Sequence, residues 1–318
     1  MDVVLLFPGQ GSQKPGMGKD LYETFPAAQA VFDTADSTLA ESSTDGERLS
    51  SLCFNGPAEA LTLTHNAQPA LLAHGAALWA VARERLAGHV RAAAGHSLGE
   101  FTAYHAAGTL ALADAIRLVR RRGELMYESG VRRPGAMAAL LGDMNEPIES
   151  ICARATVESA LVSPANYNGP GQVVISGEEA GVERAMALAK EAGAKRAMRL
   201  NVSGAFHSAL METALDGLTQ AVATTSFANP RFPVYANVNA EAVTLADRGR
   251  QLLLQQLTRP VRWTDEVRAM AERMPEALYV EMGPGSVLTG LVRKIAPTVK
   301  TMACGTVAEV NKLMELVA

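Results

Sequence analysis

The first third of the chain alternates between short apolar runs and longer amphipathic segments. Val3–Phe7 is a continuous apolar run, which predicts a buried strand, and "VRAAAG" at 90–95 predicts a second one. Periodic apolar positions predict helices over residues 20–40, 67–87, 98–107 and 111–128. This alternation of strands and helices favours an α/β protein with a mainly parallel, doubly wound sheet.

The pattern changes between residues 129 and 198. Strand-like and helix-like segments follow one another there in the order β-α-β-β-α-β, which is typical of a ferredoxin-like unit. The α/β pattern resumes after this unit. The sequence therefore predicts a small ferredoxin-like subdomain at 129–198, inserted into a large α/β-hydrolase-like domain formed by 1–128 and 199–318.

Composition indicates an ordinary globular protein. The 318 residues are 48% hydrophobic and 19% charged, and the formal net charge of −4 argues against a general nucleic-acid binder. The three cysteines lie far apart and match no metal-ligand spacing, so we expect reduced thiols and no metal site. The N-terminus does not resemble a signal peptide, and no apolar stretch approaches the length of a membrane span. We expect a cytoplasmic protein that binds neither nucleic acid nor membrane.

The segment "GHSLGE" at 95–100 raises the question of a nucleophile at Ser97. The motif Gly-X-Ser-X-Gly stands between a predicted strand and a predicted helix, which is the setting of a nucleophile elbow. Gly95 and Gly99 leave room where such a turn brings two backbones together. The helix that begins near Leu98 would also point free N–H groups at a negative oxygen. A serine in a common glycine-rich turn is the alternative interpretation.

A serine nucleophile needs a base, which is usually a histidine. His96 adjoins Ser97, but side chains of neighbouring residues diverge at a sharp turn. His105 lies too far along the following helix to reach the hydroxyl. His207, in "NVSGAFHSALM", lies in an irregular stretch between a predicted strand and a predicted helix, where α/β proteins expose functional side chains. His207 is therefore the candidate base.

Arg122 has an unusual position in the predicted helix "ADAIRLVRRRGELMYE". On a helical wheel it falls on the apolar face, between Leu118 and Met126. A guanidinium stays protonated and is costly to bury without an anionic partner. One interpretation is a structural salt bridge or a side chain that reaches solvent from the edge of the face. The other is a two-pronged clamp for the carboxylate of an acidic substrate.

Two further glycine-rich segments carry weaker signals. The segment "EMGPGSVLTGLVRK" at 281–294 lacks the features of a phosphate-binding loop, so we interpret it as structural. Asn166 and Asn168 precede a glycine turn in "ANYNGPGQVVISG", where asparagines most often form turns.

Together these motifs resemble the malonyl-CoA:acyl carrier protein transacylases, an acyltransferase family of fatty acid and polyketide synthesis. The match runs in order through nearly the whole chain, and the ordered set is far more specific than any one motif. The matching segments are "FPGQGSQ", "NAQPAL", "GHSLGE", "RRGELM", "ANYNGPGQVVISG", "GAFHSALM", "QLTRPVRW" and "EMGPGSVLTGL". "NAQPAL" departs slightly from the family pattern, which often has threonine before the glutamine.

The resemblance implies a role for each matching residue. Ser97 would be the nucleophile and His207 its base. A carbonyl of Gln256 would support the charge on His207, in place of the carboxylate of a usual triad. The backbone N–H groups of Gln10 and Leu98 would form the oxyanion hole.

The resemblance also implies the substrate contacts. Arg122 would bind the malonyl carboxylate, and Phe206 would narrow the pocket against a methyl branch. Met126 and Asn166 would line the same pocket. The expected reaction transfers malonyl from malonyl-CoA to the phosphopantetheine thiol of acyl carrier protein, through a malonyl-serine ester and without metal or redox cofactor. A monomer is expected.

Several alternatives stay open at this point. A discrete acyltransferase of a polyketide synthase or of a malonate decarboxylase system would have the same fold and chemistry. A serine hydrolase is compatible with the elbow alone, although the apolar-face arginine and the lack of an acidic partner for the histidine argue against it. A non-catalytic module that binds carrier protein would have no reason to keep Ser97, His207 and Arg122 together.

Overall fold

The computed structural model describes residues 1–40 and 48–317. Strands in this part of the chain are Val3–Phe7 (β1), Val90–Gly95 (β2), Ala136–Leu141 (β3), Val162–Gly169 (β4), Gln172–Gly177 (β5), Arg196–Arg199 (β6), Val234–Tyr235 (β7), Ala242–Val243 (β8), Leu278–Met282 (β9) and Lys300–Cys304 (β10). Helices are Lys19–Thr24 (α1), Pro26–Ala40 (α2), Leu49–Asn55 (α3), Ala58–Thr62 (α4), Thr64–Leu86 (α5), Leu98–Ala106 (α6), Leu112–Arg132 (α7), Ile148–Ala155 (α8), Glu179–Glu191 (α9), Leu215–Thr224 (α10), Ala246–Gln256 (α11), Trp263–Arg273 (α12), Val287–Ile295 (α13) and Val307–Leu316 (α14). None of these helices is long and apolar enough to cross a membrane.

The larger sheet has six strands in the order β10-β9-β1-β2-β7-β8. Every neighbouring pair is parallel except β7 and β8. Strand β1 lies inside the sheet, and all of its residues are buried. A parallel strand covered on both faces is apolar throughout, which explains the continuous run in the sequence. The prediction of an α/β protein with a mainly parallel sheet is confirmed.

Both faces of this sheet carry helices. Alternate residues of β1 belong to different cores: Leu5 packs with the cluster that includes α2, α5 and α7, and Leu6 packs with the cluster that includes α12 and α13. Successive side chains of a strand point to opposite faces, so one strand contributes to both cores. The long helix α5 packs most extensively against α7.

The carboxyl ends of three neighbouring strands meet at one edge of this sheet. In the register of the sheet, Phe7 at the end of β1 pairs with Gly95 at the end of β2. Ala94 of β2 pairs in turn with Tyr235 at the end of β7. Open α/β sheets bind their ligands at this edge, so the loops that follow β1, β2 and β7 are the place to look for a site.

A second sheet has four antiparallel strands in the order β4-β5-β3-β6. Helices α8 and α9 pack on it around a separate small core. A parallel bridge between Asn166 of β4 and Val261 joins this sheet to the segment that precedes α12. The second sheet therefore borders the first where β4 approaches α12.

The observed helices differ from the predicted ones at several points, and α5 begins at Thr64 instead of the predicted residue 67. The predicted helix 20–40 is two helices, since Phe25 is extended and Pro26 begins α2. A proline suits the first turn of a helix and disfavours helical backbone in the residue before it. Helix α7 continues to Arg132, beyond the predicted end at 128. The short helices α3 and α4 were not predicted, because five to seven residues carry too little periodicity.

Candidate active site

Ser97 lies in the sharp turn between β2 and α6. Its backbone has φ 51° and ψ −103°, a strained conformation for a residue with a side chain. The turn depends on the two flanking glycines. A Cβ on Gly95 would overlap the backbone of Gly99, and a Cβ on Gly99 would overlap the carbonyl of Phe7. The geometry is that of the predicted nucleophile elbow.

Asn237, two residues after the end of β7, holds this turn in place. Its side-chain oxygen accepts a hydrogen bond from the Ser97 N–H at 2.8 Å. Its amide nitrogen donates to the Gly95 carbonyl at 2.7 Å and to the buried carboxylate of Glu266. Asn237 is fully buried. The sequence analysis did not identify it, and the available signal was a polar residue at the carboxyl end of a short strand.

His207 meets Ser97 across the site. Its Nε2 lies 2.8 Å from the Ser97 Oγ, and its Nδ1 lies 2.9 Å from the backbone carbonyl of Gln256. A carbonyl can only accept, so the proton belongs on Nδ1 and the Nε2 lone pair faces the serine hydroxyl. Burial, and then the charge of Arg122, lower the pKa of His207 to about 3. The imidazole is therefore neutral at neutral pH and able to accept a proton.

Arg122 is buried in the same site, as its place on the apolar face predicts. Its guanidinium donates to the side-chain oxygens of Gln68 at 2.7 Å and of Gln256 at 2.9 Å. It also donates to the Ser97 Oγ at 3.2 Å. The ring of Phe101 lies below it, at 5.2 Å from the guanidinium carbon. These partners are amides, a hydroxyl and an aromatic face.

No described carboxylate forms an ion pair with this guanidinium, and its Nε has no hydrogen-bond partner among the described residues. Burial lowers the pKa of Arg122 to about 10, and the carboxylate of Glu100 opposes this shift. The group therefore stays protonated at neutral pH. The cation is buried beside Ser97 with hydrogen-bonding capacity to spare, as a carboxylate clamp requires.

Gln256 connects the cation to a buried carboxylate. Its side-chain nitrogen donates to Glu100 at 2.7 Å, to the Ser97 carbonyl at 3.0 Å and to Asn237 at 3.1 Å. Its side-chain oxygen faces Arg122, so the amide lies between the guanidinium and the Glu100 carboxyl group. Burial raises the pKa of Glu100 to about 7. Sequence analysis anticipated the Gln256 carbonyl from the resemblance, but neither Glu100 nor Gln68.

A cavity of about 290 Å3 opens over Ser97 and is lined by Arg122 and His207. All the other residues expected to contact substrate or oxyanion also line it, namely Gln10, Leu98, Met126, Asn166 and Phe206. Gln256 lies behind this wall and reaches the site through its hydrogen bonds. The structure therefore brings together every residue that the sequence singled out for this site.

The interpretation of Asn166 and Asn168 as turn formers is wrong. Both lie within strand β4, and the turn follows at 170–171. The Asn168 Oδ1 instead accepts a hydrogen bond at 2.8 Å from the His96 Nε2. The Ser97 hydroxyl makes its hydrogen bonds with His207 and Arg122 and none with His96, in agreement with the expectation that His96 is not the base.

Comparison with known proteins places this chain in a defined family. A family model described as "Acyl transferase domain" matches residues 4–312. The chain therefore belongs to the acyl transferase family.

More specific relatives share almost the whole length. The chain is 46% identical to the malonyl CoA-acyl carrier protein transacylase of Bacillus subtilis over 95% of this chain and 92% of that protein. It is 42% identical to the enzyme of the same name from Escherichia coli over 98% of both chains.

Solved structures that match this chain have names of the same kind. An acyl-carrier-protein-S-malonyltransferase from Bartonella henselae matches with a TM-score of 0.92 and 41% identity, over 100% of this chain and 99% of that one. A malonyl-transacylase in complex with its type II polyketide synthase acyl-carrier protein also matches with a TM-score of 0.92 and 41% identity, over 99% and 100%. The resemblance inferred from the motifs is confirmed.

Proposed function

We propose that this protein transfers the malonyl group of malonyl-CoA to the phosphopantetheine thiol of an acyl carrier protein. The observation that carries the proposal is the position of the buried Arg122 guanidinium, 3.2 Å from the Ser97 Oγ in one cavity. A nucleophile next to a cation that has no ion-pair partner in the described part of the chain suits an acyl group that ends in a carboxylate. The names of the relatives support the same reaction.

The first half-reaction loads the enzyme. His207 Nε2 takes the proton of the Ser97 hydroxyl, and the oxygen attacks the thioester carbonyl of malonyl-CoA. The backbone N–H groups of Gln10 and Leu98 donate to the resulting oxyanion, and each such donor is worth about 3 kcal/mol. The carbon–sulfur bond then breaks, and the imidazolium returns its proton to the CoA thiolate. The product is a malonyl ester on Ser97.

The second half-reaction repeats these steps with a different thiol. His207 takes the proton of the carrier's phosphopantetheine thiol, and the sulfur attacks the ester on Ser97. The same oxyanion hole serves the second tetrahedral intermediate, and the serine oxygen leaves with the proton from His207. This is a ping-pong transfer in which atoms and charges balance without a metal or redox step.

Four residues shape the acyl pocket in this proposal. Arg122 binds the terminal carboxylate, since its fork matches a carboxylate in a bidentate manner. Phe206 narrows the cavity against a methyl branch at the α-carbon. Met126 and Asn166 complete the wall around the short acyl chain. All of them line the cavity above Ser97.

We also propose the finer description of the architecture. The β-α-β-β-α-β order and the sheet order β4-β5-β3-β6 support a ferredoxin-like subdomain at 129–198. The elbow after β2 supports an α/β-hydrolase-like large domain formed by 1–128 and 199–318. We further propose a cytoplasmic monomer, with acyl carrier protein as its partner.

The test is a transfer assay with malonyl-CoA and several phosphopantetheinylated carrier proteins. We expect a persistent covalent malonyl-enzyme with malonyl-CoA alone, and malonyl-carrier when a carrier is added. Carriers of fatty acid synthesis and of polyketide synthesis belong in the panel, because one similar structure holds a polyketide carrier. Release of free malonate without transfer would indicate a hydrolase, and the absence of both adduct and malonate would indicate a binding module.

A further inference from the structure

A chain of hydrogen bonds runs from Arg122 to the loop that follows β1. The guanidinium donates to the Gln68 side-chain oxygen at 2.7 Å. The Gln68 side-chain nitrogen donates to the Thr64 hydroxyl at 3.1 Å. The Thr64 hydroxyl donates to the Gln10 side-chain oxygen at 2.8 Å. Three bonds therefore link the group proposed to bind the malonyl carboxylate to a residue proposed to bind the oxyanion.

The donor and acceptor groups fix the direction of each hydrogen bond in this series. A guanidinium only donates, so the Gln68 oxygen must face Arg122 and the Gln68 nitrogen must point away. That nitrogen donates to the Thr64 hydroxyl and also to the Met126 sulfur at 3.3 Å. The single hydroxyl proton of Thr64 is then free for Gln10. Thr64 and Gln68 are fully buried, so water cannot substitute for either partner.

The residues joined by these hydrogen bonds lie in two kinds of structure, a core helix and an irregular loop. Thr64 and Gln68 lie one turn apart at the start of α5, which packs in the core against α7 and therefore against Arg122. Gln10 lies in a glycine-rich and proline-rich loop without regular structure. Its side chain is half-buried, and its bond to Thr64 ties it to the helix.

We infer that Thr64 is a positioning residue that fixes the loop carrying Gln10 relative to Arg122. The inference rests on the proposed function, since it gives the Gln10 N–H its role at the oxyanion. A loop held in this way presents that N–H at the correct place before the tetrahedral intermediate forms. Such preorganisation acts on the chemical step and leaves the binding of the acyl-CoA unchanged.

Thr64→Val removes the hydroxyl and keeps the shape of the side chain, whereas Thr64→Ser keeps the hydroxyl and removes the methyl group. In single-turnover acylation we expect Thr64→Val to lower the maximal rate about tenfold, with little change in the malonyl-CoA concentration at half-maximal rate. Thr64→Ser should react at close to the wild-type rate. Acetyl-CoA should show the same pattern, because its oxyanion forms in the same hole.

Thr289→Val is the matched control. Thr289 is also buried, and its hydroxyl donates a hydrogen bond to the Ser286 carbonyl at 2.9 Å. It lies on α13 and does not line the cavity above Ser97. We expect this variant to lose thermal stability without losing acylation rate. If Thr64→Val, Thr64→Ser and Thr289→Val all slow acylation only in proportion to their loss of thermal stability, Thr64 has a general structural role and the inference fails.

A double-mutant cycle with Gln10→Ala sharpens the test. Both substitutions break the same bond and keep the Gln10 backbone N–H, so their effects on acylation rate should be clearly non-additive. Additive effects would contradict the inference, as would a wild-type rate for Thr64→Val. Failure of the wild-type enzyme to form a malonyl adduct would instead overturn the proposed function, and this inference with it.

Discussion

Two glycine-rich turns join a parallel strand to a helix in the larger sheet, and they use the start of that helix differently. In the turn after β9, the buried carboxylate of Glu281 accepts the N–H groups of Leu288 at 3.0 Å and Thr289 at 2.7 Å. The protein thus fills the N-terminus of α13 with its own anion. In the turn after β2, the carboxylate of Glu100 points instead to Gln256 and Asn237.

The turn after β2 therefore leaves its helix start available. The N–H of Leu98 makes no hydrogen bond with any described residue, and the cavity opens directly above it. A helix N-terminus attracts negative charge, so an unfilled one beside a serine suits a developing oxyanion. Both turns have glycines, a serine and a buried glutamate. What separates them is whether a side chain of the protein already occupies the helix start.

The largest expected effect comes from the serines of the two turns. Ser97→Ala removes the oxygen that would carry the acyl group, so transfer to carrier protein should fall to background. Ser286→Ala, at the start of α13, should leave transfer unchanged, since this exposed serine makes no side-chain cap bond. Steady-state transfer rates measure both. Substantial transfer by the Ser97→Ala variant would place the nucleophile elsewhere.

Arg122→Ala should produce the next largest effect. Removing one partner of a buried ion pair costs about 3–5 kcal/mol, which corresponds to a loss of about two to four decades in kcat/KM for malonyl-CoA. Acetyl-CoA has no carboxylate, so its loading should be spared or improved. Arg122→Lys should fall between, because an ammonium keeps the charge and loses the fork.

Arg121→Ala is the matched control for this prediction. Arg121 lies on the exposed face of the same helix and pairs with Glu124 and Glu128. Removal of its side chain should change the loading of neither malonyl nor acetyl groups. An unchanged ratio of malonyl to acetyl loading in Arg122→Ala would contradict the clamp.

Glu281→Ala should separate stability from activity. It leaves the N–H groups at the start of α13 without their acceptor, so we expect a loss of about 1–3 kcal/mol in the free energy of unfolding. The α6 turn is intact in this variant, and acylation by the folded enzyme should keep its wild-type rate. Denaturant unfolding and single-turnover acylation check the two halves. A large loss of acylation rate in fully folded Glu281→Ala protein would show that the two turns are not independent.

The smallest expected effect is on pH dependence. The folded-state pKa of His207 is lowered to about 3 from its usual 6.5, so the neutral base persists as pH falls through 6.5 and is lost only nearer to 3. Acetyl loading should therefore show no histidine-like inflection near pH 6.5. Arg122→Ala removes one of the two main causes of the lowered pKa of His207. The fall in acetyl loading at low pH should therefore occur at a higher pH in this variant. If acetyl loading falls at the same pH in Arg122→Ala as in the wild type, Arg122 does not influence the pKa of His207.

Sequence patterns predicted the parts of the molecule that depend on local composition. The apolar runs identified β1 and β2, and the helical wheel identified Arg122 as a buried cation. Residues that act through distant contacts left little local signal. Asn237 and Gln68 reach the site only because β7 pairs with β2 and α5 packs on α7. Strands β7 and β8 have two residues each, too few for a period to be recognised.

The two glycine-rich turns illustrate the same limit. From the sequence we interpreted the segment 281–294 as structural and Ser97 as a nucleophile, and the two turns differ in whether a carboxylate occupies the helix start. The reason was not visible in the sequence, because Glu281 and Glu100 both lie close to their turns. Only the fold determines that one carboxylate faces a helix start and the other faces an amide.

The central claim is that the turn after β2 carries a malonyl ester on Ser97. The most direct measurement is peptide mapping by mass spectrometry of the wild-type protein after brief incubation with malonyl-CoA and no carrier. The account predicts one malonyl group, on the peptide that contains "GHSLGE" and localised to Ser97, and its disappearance when a carrier protein with a free phosphopantetheine thiol is added. A malonyl group on another residue, or none on a protein that still transfers malonyl, would contradict it.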